Sequence, residues 1–301
     1  MKVFITGVTG YIGSAVAAEL LRAGHEVSGL TSSAGKAAEL ERAGVRPVVG
    51  DLGDPGSWRA EAVRAEGLVH TAFDYGADDP VALDGLAVDT LLSAAGEGGG
   101  PRAFAYTSGV WVLGNTGDQP VDEETQHGEP FEMVAWRPGH ERLALGAGGR
   151  VAGSVVRPGV VYGESRGLMI RFFQSAEEQG ASSYIGDGSN RMALVHRDDA
   201  ARLYREVLER RAAGVFHAVD GTPMTMLEVA MAAGRAAGAG EAPRSVPLEE
   251  ARKELGPVAD ALCLDQVVAA RRSREELGWA PRHASFREGA APAYREWKSG
   301  G

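Results

Sequence analysis

The sequence predicts an α/β fold: a doubly wound parallel sheet with a smaller, mostly C-terminal lobe. Two observations predict it. Short apolar strand segments alternate with helical ones from residue 2 to residue 157, and a glycine-rich turn at residues 7–13 joins the first strand to the first helix. Segments that alternate in this way pack as helices on the two faces of a parallel sheet.

The elements follow in order. Residues 2–6 (KVFIT) are short, apolar and β-prone. Residues 14–23 (SAVAAELLRA) repeat apolar positions three and four apart, the helical period, and Gly24 stops them. Residues 25–30 (HEVSGL) read as a second strand. Strand, turn, helix and strand within about thirty residues make a βαβ unit, whose crossover requires parallel strands. Residues 36–43 are helical, and 47–49 form a strand running into Gly50-Asp51-Leu52. Residues 57–65 are helical and 67–72 (GLVHTA) form a buried strand. A helix over 83–95 ends at the glycines of 96–100, and 103–107 (AFAYT) form the next strand. Residues 136–145 are helical despite Pro138, and 153–157 (GSVVR) are a further strand. Beyond Arg157 the alternation loosens, and 258–272 show no strand–helix rhythm.

A chain of 301 residues can bury a sizeable core. It carries 31 Lys and Arg against 41 Asp and Glu, a net charge of −10. That balance argues against nucleic acid and anionic membrane as partners, since both require clustered positive charge. The single cysteine, Cys263, allows neither an internal disulfide nor a cysteine-based zinc site. His70, His127 and His217 have no metal-ligand spacing, and no metal is expected. No apolar run approaches the ~18 residues of a membrane span. Strand-like residues begin at Val3, where a signal peptide would place a basic start and an apolar run, so a cytoplasmic protein is expected.

The turn Thr6-Gly7-Val8-Thr9-Gly10-Tyr11-Ile12-Gly13 spaces its glycines as Gly-x-x-Gly-x-x-Gly. The first permits a tight turn, the second lets backbone N–H groups approach a pyrophosphate, and the third lets helix pack on strand. The positive end of the following helix favours phosphate. Because the turn follows a strand and opens a helix within a βαβ unit, it predicts a Rossmann-type dinucleotide site. The end of the second strand reports on the ribose. An NAD site places an acidic residue there, about 20 residues beyond the glycines. Here Thr31-Ser32-Ser33-Ala34-Gly35-Lys36 offers hydroxyls and a lysine, which suit a 2′-phosphate. NADP is therefore expected over NAD, with Asp51-Leu52 near the adenine. Residues 1–157 form the dinucleotide-binding core on this reading. Residues 158–301 form mainly the substrate-binding lobe, with some segments returning to the core.

Several further segments carry a family resemblance over nearly the whole chain. Val69-His70-Thr71-Ala72 ends the fourth strand. Thr107-Ser108-Gly109-Val110-Trp111-Val112-Leu113-Gly114 and Val156-Arg157-Pro158-Gly159-Val160-Val161-Tyr162-Gly163 follow. Gly186-Asp187-Gly188-Ser189-Asn190-Arg191, Val195-His196-Arg197-Asp198-Asp199-Ala200 and Glu275-Glu276-Leu277-Gly278-Trp279-Ala280-Pro281 complete the set. With the glycine turn, these resemble the extended or atypical short-chain dehydrogenase/reductases, the epimerase/dehydratase-like group. The resemblance implies cofactor contacts from Thr6, Gly7, Thr9, Gly10, Tyr11, Ile12, Gly13, Thr71, Ala72, Thr107, Arg157 and Pro158, beside the ribose and adenine residues above. It implies a small-molecule substrate and a possible homodimer.

The catalytic pattern departs from that group. Its oxidoreductases use a Tyr-x-x-x-Lys pair with an upstream Ser or Thr, the lysine lowering the tyrosine pKa. Only four lysines occur here, Lys2, Lys36, Lys253 and Lys298, so none lies between 37 and 252. Tyr294 and Lys298 match the spacing but sit near the C-terminus, as a surface-helix coincidence. At the expected helix, Trp136 replaces the tyrosine and His140 the lysine; a register shifted by one pairs Arg137 with Glu141. The catalytic candidates are Ser108, Trp136, His140 and Tyr162. Asp74, Tyr75, Tyr184 and Arg191 are candidate substrate contacts. The group's helix-four Asn corresponds to Asp89 or Asp84. Asp198 or Asp199 reads as the N-cap of a helix over 200–209. Residues 168–173, Tyr184 and 224–226 line an apolar pocket or belong to the core.

Two functions remain open at this point. One is an NADPH-using reductase or epimerase-like enzyme on a small carbonyl or hydroxyl compound, with a non-standard active site. The other is a cofactor-binding sensor or structural protein, or a non-redox isomerase or cyclase on the same fold.

Overall fold

Val3, Phe4 and Ile5 are all but fully buried. They belong to β1 (Lys2–Thr6), which is buried on both faces and therefore lies inside a sheet. The computed structural model describes residues 1–126, 128–240 and 242–300. Next come α1 (Tyr11–Arg22), β2 (Glu26–Thr31), α2 (Ala34–Arg42), β3 (Arg46–Val49), α3 (Arg59–Arg64) and β4 (Gly67–His70). Then follow α4 (Pro80–Glu97), β5 (Arg102–Thr107), α5 (Arg137–Leu145) and β6 (Val151–Pro158). The sheet has seven strands, in the order Gly214–Ala218, β6, β5, β4, β1, β2, β3. β1 pairs parallel with β2 and β4, β2 with β3, β4 with β5, and β5 with β6. The doubly wound Rossmann sheet expected from the alternation is present. The switch in strand order falls at β1, where β1 and β4 diverge, the place where such sheets bind ligands.

Element ends differ from the sequence reading by a few residues. α4 starts at Pro80, earlier than residue 83, because the Asp79 side chain caps it by accepting from the Ala82 N–H at 2.9 Å. α1 starts at Tyr11 rather than residue 14, since the turn passes directly into the helix. The helix expected over 57–65 is a short 3-10 turn (Pro55–Ser57) and then α3.

The chain forms two compact units. The first comprises Met1–Ser108, Trp136–Arg157 and Ala201–Phe216. The second comprises Gly109–Ala135, Pro158–Ala200 and His217–Gly301. The division proposed at 157 is thus crossed in both directions: 109–135 lie with the second unit and 201–216 with the first. In the first unit Phe4, Leu68, Val88, Leu91, Phe104 and Val155 form a core around the sheet. The second unit has short strand pairs instead. Val160–Tyr162 runs parallel to Leu194–His196, and Ser183–Ile185 parallel to Arg244–Val246. Its core includes Met169, Phe172, Phe173, Met224 and Met226, so most of the apolar residues expected at a pocket or in the core are core. Residues 258–272, without rhythm in the sequence, supply the helix Val258–Leu262 and the start of Arg271–Leu277. Tyr294 and Lys298 lie on the C-terminal helix Phe286–Gly300, and both bond the Glu177 side chain.

Among the described residues no helix is long and apolar enough to cross a membrane. Nor do three or more His, Cys, Asp or Glu cluster as a metal site among them. His127 lies outside the described residues.

Candidate functional site

The glycine turn is held by steric necessity. Gly7 has φ +74°, and a Cβ there would lie 2.5 Å from the Ala72 backbone N. A Cβ on Gly13 would lie 2.1 Å from the Gly7 carbonyl oxygen. The turn, the start of α1 and the segment after β4 therefore approach backbone to backbone, and the Thr71 hydroxyl donates to the Thr6 carbonyl at 2.8 Å. Gly10 is the N-cap of α1 and supplies no side-chain acceptor. The positive end of α1 favours an anion.

Beside the turn lies a cavity of about 140 Å³, lined by Gly7, Thr9, Leu30, Thr31, Ser32, Lys36, Gly50 and Leu52. No carboxylate lines it. Thr31 and Ser33 have local duties: the Thr31 hydroxyl accepts from the Ser33 N–H at 3.3 Å, and the Ser33 hydroxyl from the Lys36 N–H at 3.4 Å, capping α2. Ser32 and Lys36 are exposed. Asp51 is exposed, and its carboxylate accepts from the Gly53 N–H at 2.7 Å. A cradle that any Cβ would fill, a helix start without a side-chain cap and a carboxylate-free cavity carrying Lys36 fit a dinucleotide.

Thr6 departs from the expected cofactor role. It is fully buried, and its hydroxyl lies 2.6 Å from His70 Nδ1. His70 Nε2 lies 3.2 Å from Asp84 Oδ1, and His140 Nδ1 lies 2.6 Å from Asp84 Oδ2. The Tyr106 hydroxyl donates to Asp84 Oδ2 at 3.0 Å. Burial pushes the Asp84 carboxyl up, but the hydrogen bonds from His140 and His70 outweigh it and hold the group well below the usual carboxylate range. Burial pushes the Tyr106 phenol up. Asp84, not Asp89, is the interior aspartate of α4; Asp89 is exposed.

Trp136 is the N-cap of α5, one residue before the helix proper. Its ring stacks on Phe73 at 5.1 Å, Tyr75 meets Phe73 edge-on at 4.7 Å, and the Arg137 guanidinium lies 4.5 Å from the Trp136 ring centre. Arg137 also donates to the Thr107 carbonyl at 2.9 Å, while the Thr107 hydroxyl lies 2.7 Å from that of Tyr204. Asp74 is exposed and accepts from the Gly76 N–H at 2.9 Å, and Tyr75 is exposed. Ser108 is buried, and its hydroxyl has no partner. An unpaired buried hydroxyl is costly unless a ligand completes it.

Arg157 was expected at the cofactor. It is instead 3% exposed and forms a two-pronged ion pair with Glu141, at 2.9 and 2.6 Å. That contact ties α5 to β6, since a buried guanidinium requires a buried counter-charge. Pro158 ends β6 and is buried.

The remaining candidates lie in the second unit. Tyr162 is 1% exposed, with its ring edge-on to His196 at 5.2 Å and Phe286 at 5.1 Å. Its hydroxyl has no partner, and burial pushes its pKa up, which disfavours the phenolate. Arg191, expected to face substrate, pairs with Asp265 through Nε at 2.8 Å and Nη2 at 2.5 Å, and with Asp118 at 3.0 Å. Its charge is therefore already matched. Tyr184 lines a cavity of about 530 Å³ with Arg171, Gln174 and Arg244. Asp199 lies within the first turn of the helix Arg197–Arg210, not ahead of it, and its carboxylate accepts from the backbone N–H groups of Arg282 and His283, both at 2.9 Å. That bond anchors the C-terminal segment, and His283 stacks on His196 at 3.6 Å.

Sequence reading passed over His70 and Phe73 as site residues and left Asp84 as the lesser choice. One signal could have favoured Asp84: it falls four residues before Val88 and seven before Leu91, on the apolar stripe, whereas Asp89 falls off it.

A family comparison matches residues 3–219 to the NAD dependent epimerase/dehydratase family. The chain belongs to that family. A member of it is NAD(P)-binding and oxidoreductase-like, with a nicotinamide cofactor. This member is 32% identical to an uncharacterized protein of Schizosaccharomyces pombe, over 95% of this chain and 97% of that one. It is 28% identical to the 3-diazoavenalumate denitrifying reductase of a Streptomyces species, over 96% of this chain and 99% of that one. Its fold is similar to that of human epimerase family protein SDR39U1, solved with NADPH. That likeness has a TM-score of 0.81 and 22% identity, and covers 98% of this chain and 99% of the other.

Proposed function

We propose that the protein is an NADPH-using reductase or epimerase-like enzyme on a small carbonyl or hydroxyl compound, with an active site that lacks the tyrosine–lysine pair. The observation that carries the reading is the carboxylate-free cavity beside the glycine turn, with Thr31, Ser32 and Lys36 on its wall. An acidic residue there would select a ribose hydroxyl and repel a 2′-phosphate. The NADPH in the human structural neighbour and the reductase identity of the Streptomyces relative agree with this reading. When bound, the cofactor would supply the hydride. Gly7, Thr9, Gly10, Tyr11, Ile12 and Gly13 hold its phosphates. Ser108 orients the substrate oxygen and His140 exchanges a proton with it. We place the protein in the cytoplasm, as a possible homodimer.

A second reading is a cofactor-binding protein without redox turnover. Trp136, which has no acidic proton at the position of the tyrosine, favours it.

Fluorescence titration with NADPH and NADH, followed by a panel of carbonyl compounds, tests both. The expected result is NADPH binding at least ~10-fold tighter than NADH, since one charge-assisted contact contributes about 1.5–3 kcal/mol. Lys36→Ala should remove most of that preference. Failure to bind either nucleotide would end both readings, while binding without turnover across the panel favours the second.

A further inference from the structure

We propose that Asp84 is the positioning carboxylate of a His140–Asp84 pair that stands in for the absent tyrosine–lysine pair, with His140 Nε2 as the proton-exchanging atom. The inference deepens the reductase reading and rests on it.

Hydrogen-bond polarity carries the assignment. An ionised carboxylate only accepts. Asp84 is 2% exposed, and the hydrogen bonds it receives hold it in its ionised form. His140 therefore donates its Nδ1–H to Asp84 Oδ2 across 2.6 Å, and His70 donates its Nε2–H to Oδ1 across 3.2 Å. His70 Nδ1 in turn lies 2.6 Å from the Thr6 hydroxyl. Tyr106 donates its only proton to Asp84. Three side chains thus aim a proton at Asp84.

The same polarity removes the alternatives. Tyr106 and His70 are 0% and 1% exposed and spend their N–H or O–H on the carboxylate, so neither is available to a substrate. The His140 side chain is 15% exposed. Its Nε2 makes no hydrogen bond among the described residues, whereas Nδ1 is fixed. A carboxylate that fixes the tautomer of an imidazole and stabilises its protonated form is the arrangement by which a histidine moves protons in hydrolases. Here it is built from α4 and α5. For every hydride added to a carbonyl carbon, the oxygen takes one proton. His140 supplies it from Nε2, passes from imidazolium to neutral imidazole with Nδ1–H intact, and regains a proton from water. In the reverse direction the same atom accepts it.

The charges around His140 are Asp84 from α4 and Arg137 from its own helix. Arg137 donates to the Thr107 carbonyl and, at 3.4 Å, to the Tyr106 hydroxyl, and lies over the Trp136 ring.

The test is long-range ¹H–¹⁵N NMR of the histidine rings in the intact wild-type protein. Neutral His140 should carry its proton on Nδ1, against the Nε2 preference of a histidine side chain in water. A neutral ring protonated on Nε2 overturns the proposal and requires no variant. Kinetics supply the second readout. With a carbonyl compound that the wild type reduces, His140→Gln and Asp84→Asn should each lower kcat by ~10²-fold or more. KM and NADPH affinity should stay within a few-fold. An unchanged kcat in both variants also overturns it. If the wild type binds no NADPH, the reductase reading fails. If it binds and turns over while the tautomer or kcat result is adverse, only the role of Asp84 fails.

Discussion

Two buried aspartates, one in each unit, stand in opposite electrostatic states. Asp84 is 2% exposed and Asp220 is 5% exposed, so burial raises the pKa of both. Asp84 receives bonds from His140, His70 and Tyr106 and is held low. Asp220 accepts the Thr222 N–H at 2.8 Å, and among the described residues its second oxygen has no partner. Burial and the nearby Asp199 push it up to about 7. Burial alone does not decide the charge of an interior carboxyl; the number of donors aimed at it does. The first unit holds a charged group that can orient an imidazole. The second holds a carboxyl that is half protonated near neutrality.

The comparison breaks most sharply at Asp84. Asp84→Ala removes the acceptor of three donors, and should cost about 3–5 kcal/mol by urea unfolding, as for a broken buried ion pair. A loss below about 1 kcal/mol would show that the network is not held as described.

The next effect is a pH dependence of opposite sign. The folded pKa of Asp220 lies above its ordinary value of 3.8, so between about pH 4 and pH 7 the unfolded chain binds fewer protons than the native one. Stability from this group therefore falls as pH rises through that window, by about 2–4 kcal/mol. Asp220→Asn should abolish the fall, giving a higher Tm than the wild type at pH 8 and little difference at pH 4. Equal differences at both values would refute the raised pKa. The Asp84 contribution has the reverse sense: it is present above the ordinary carboxylate range and is lost only when the folded group protonates in strong acid.

Smaller effects sharpen the picture. Tyr106→Phe deletes one of the donors to Asp84 and should cost about 1 kcal/mol by urea unfolding, the net value of one hydrogen bond. Asp89→Ala, on the exposed face of the same helix, should change stability by less than about 0.5 kcal/mol. A larger cost there would mean that the two aspartates had been assigned to the wrong faces.

Much of the first unit was legible because its signals are local. Short apolar runs and the 3.6-residue period mark which residues are strand and helix, and the tight approach at Gly7 and Gly13 admits no side chain. The missing lysine between 37 and 252 is likewise a fact of sequence alone. The destinations of side chains were not legible. Arg157 found Glu141, Arg191 found Asp265, and Asp199 found the backbone of 282–283. Each partner is 16 or more positions away, and a charged residue in a strand reads alike whether it meets a ligand or an internal counter-ion. The choice between Asp84 and Asp89 was nearly legible, since the apolar stripe of the helix separates them.

The sequence by itself determined a doubly wound sheet, a glycine turn built for phosphate, a cationic and carboxylate-free loop after β2, and the loss of the tyrosine–lysine pair. Those features depend on chain-local sterics and on composition. Only the tertiary structure decided that His140 meets Asp84, that His70 and Thr6 extend the same network, and that Tyr162 lies in the core of the second unit. Hydrogen bonds between residues 14, 56 and 64 positions apart depend on how strands and helices are laid side by side, and no local pattern encodes that.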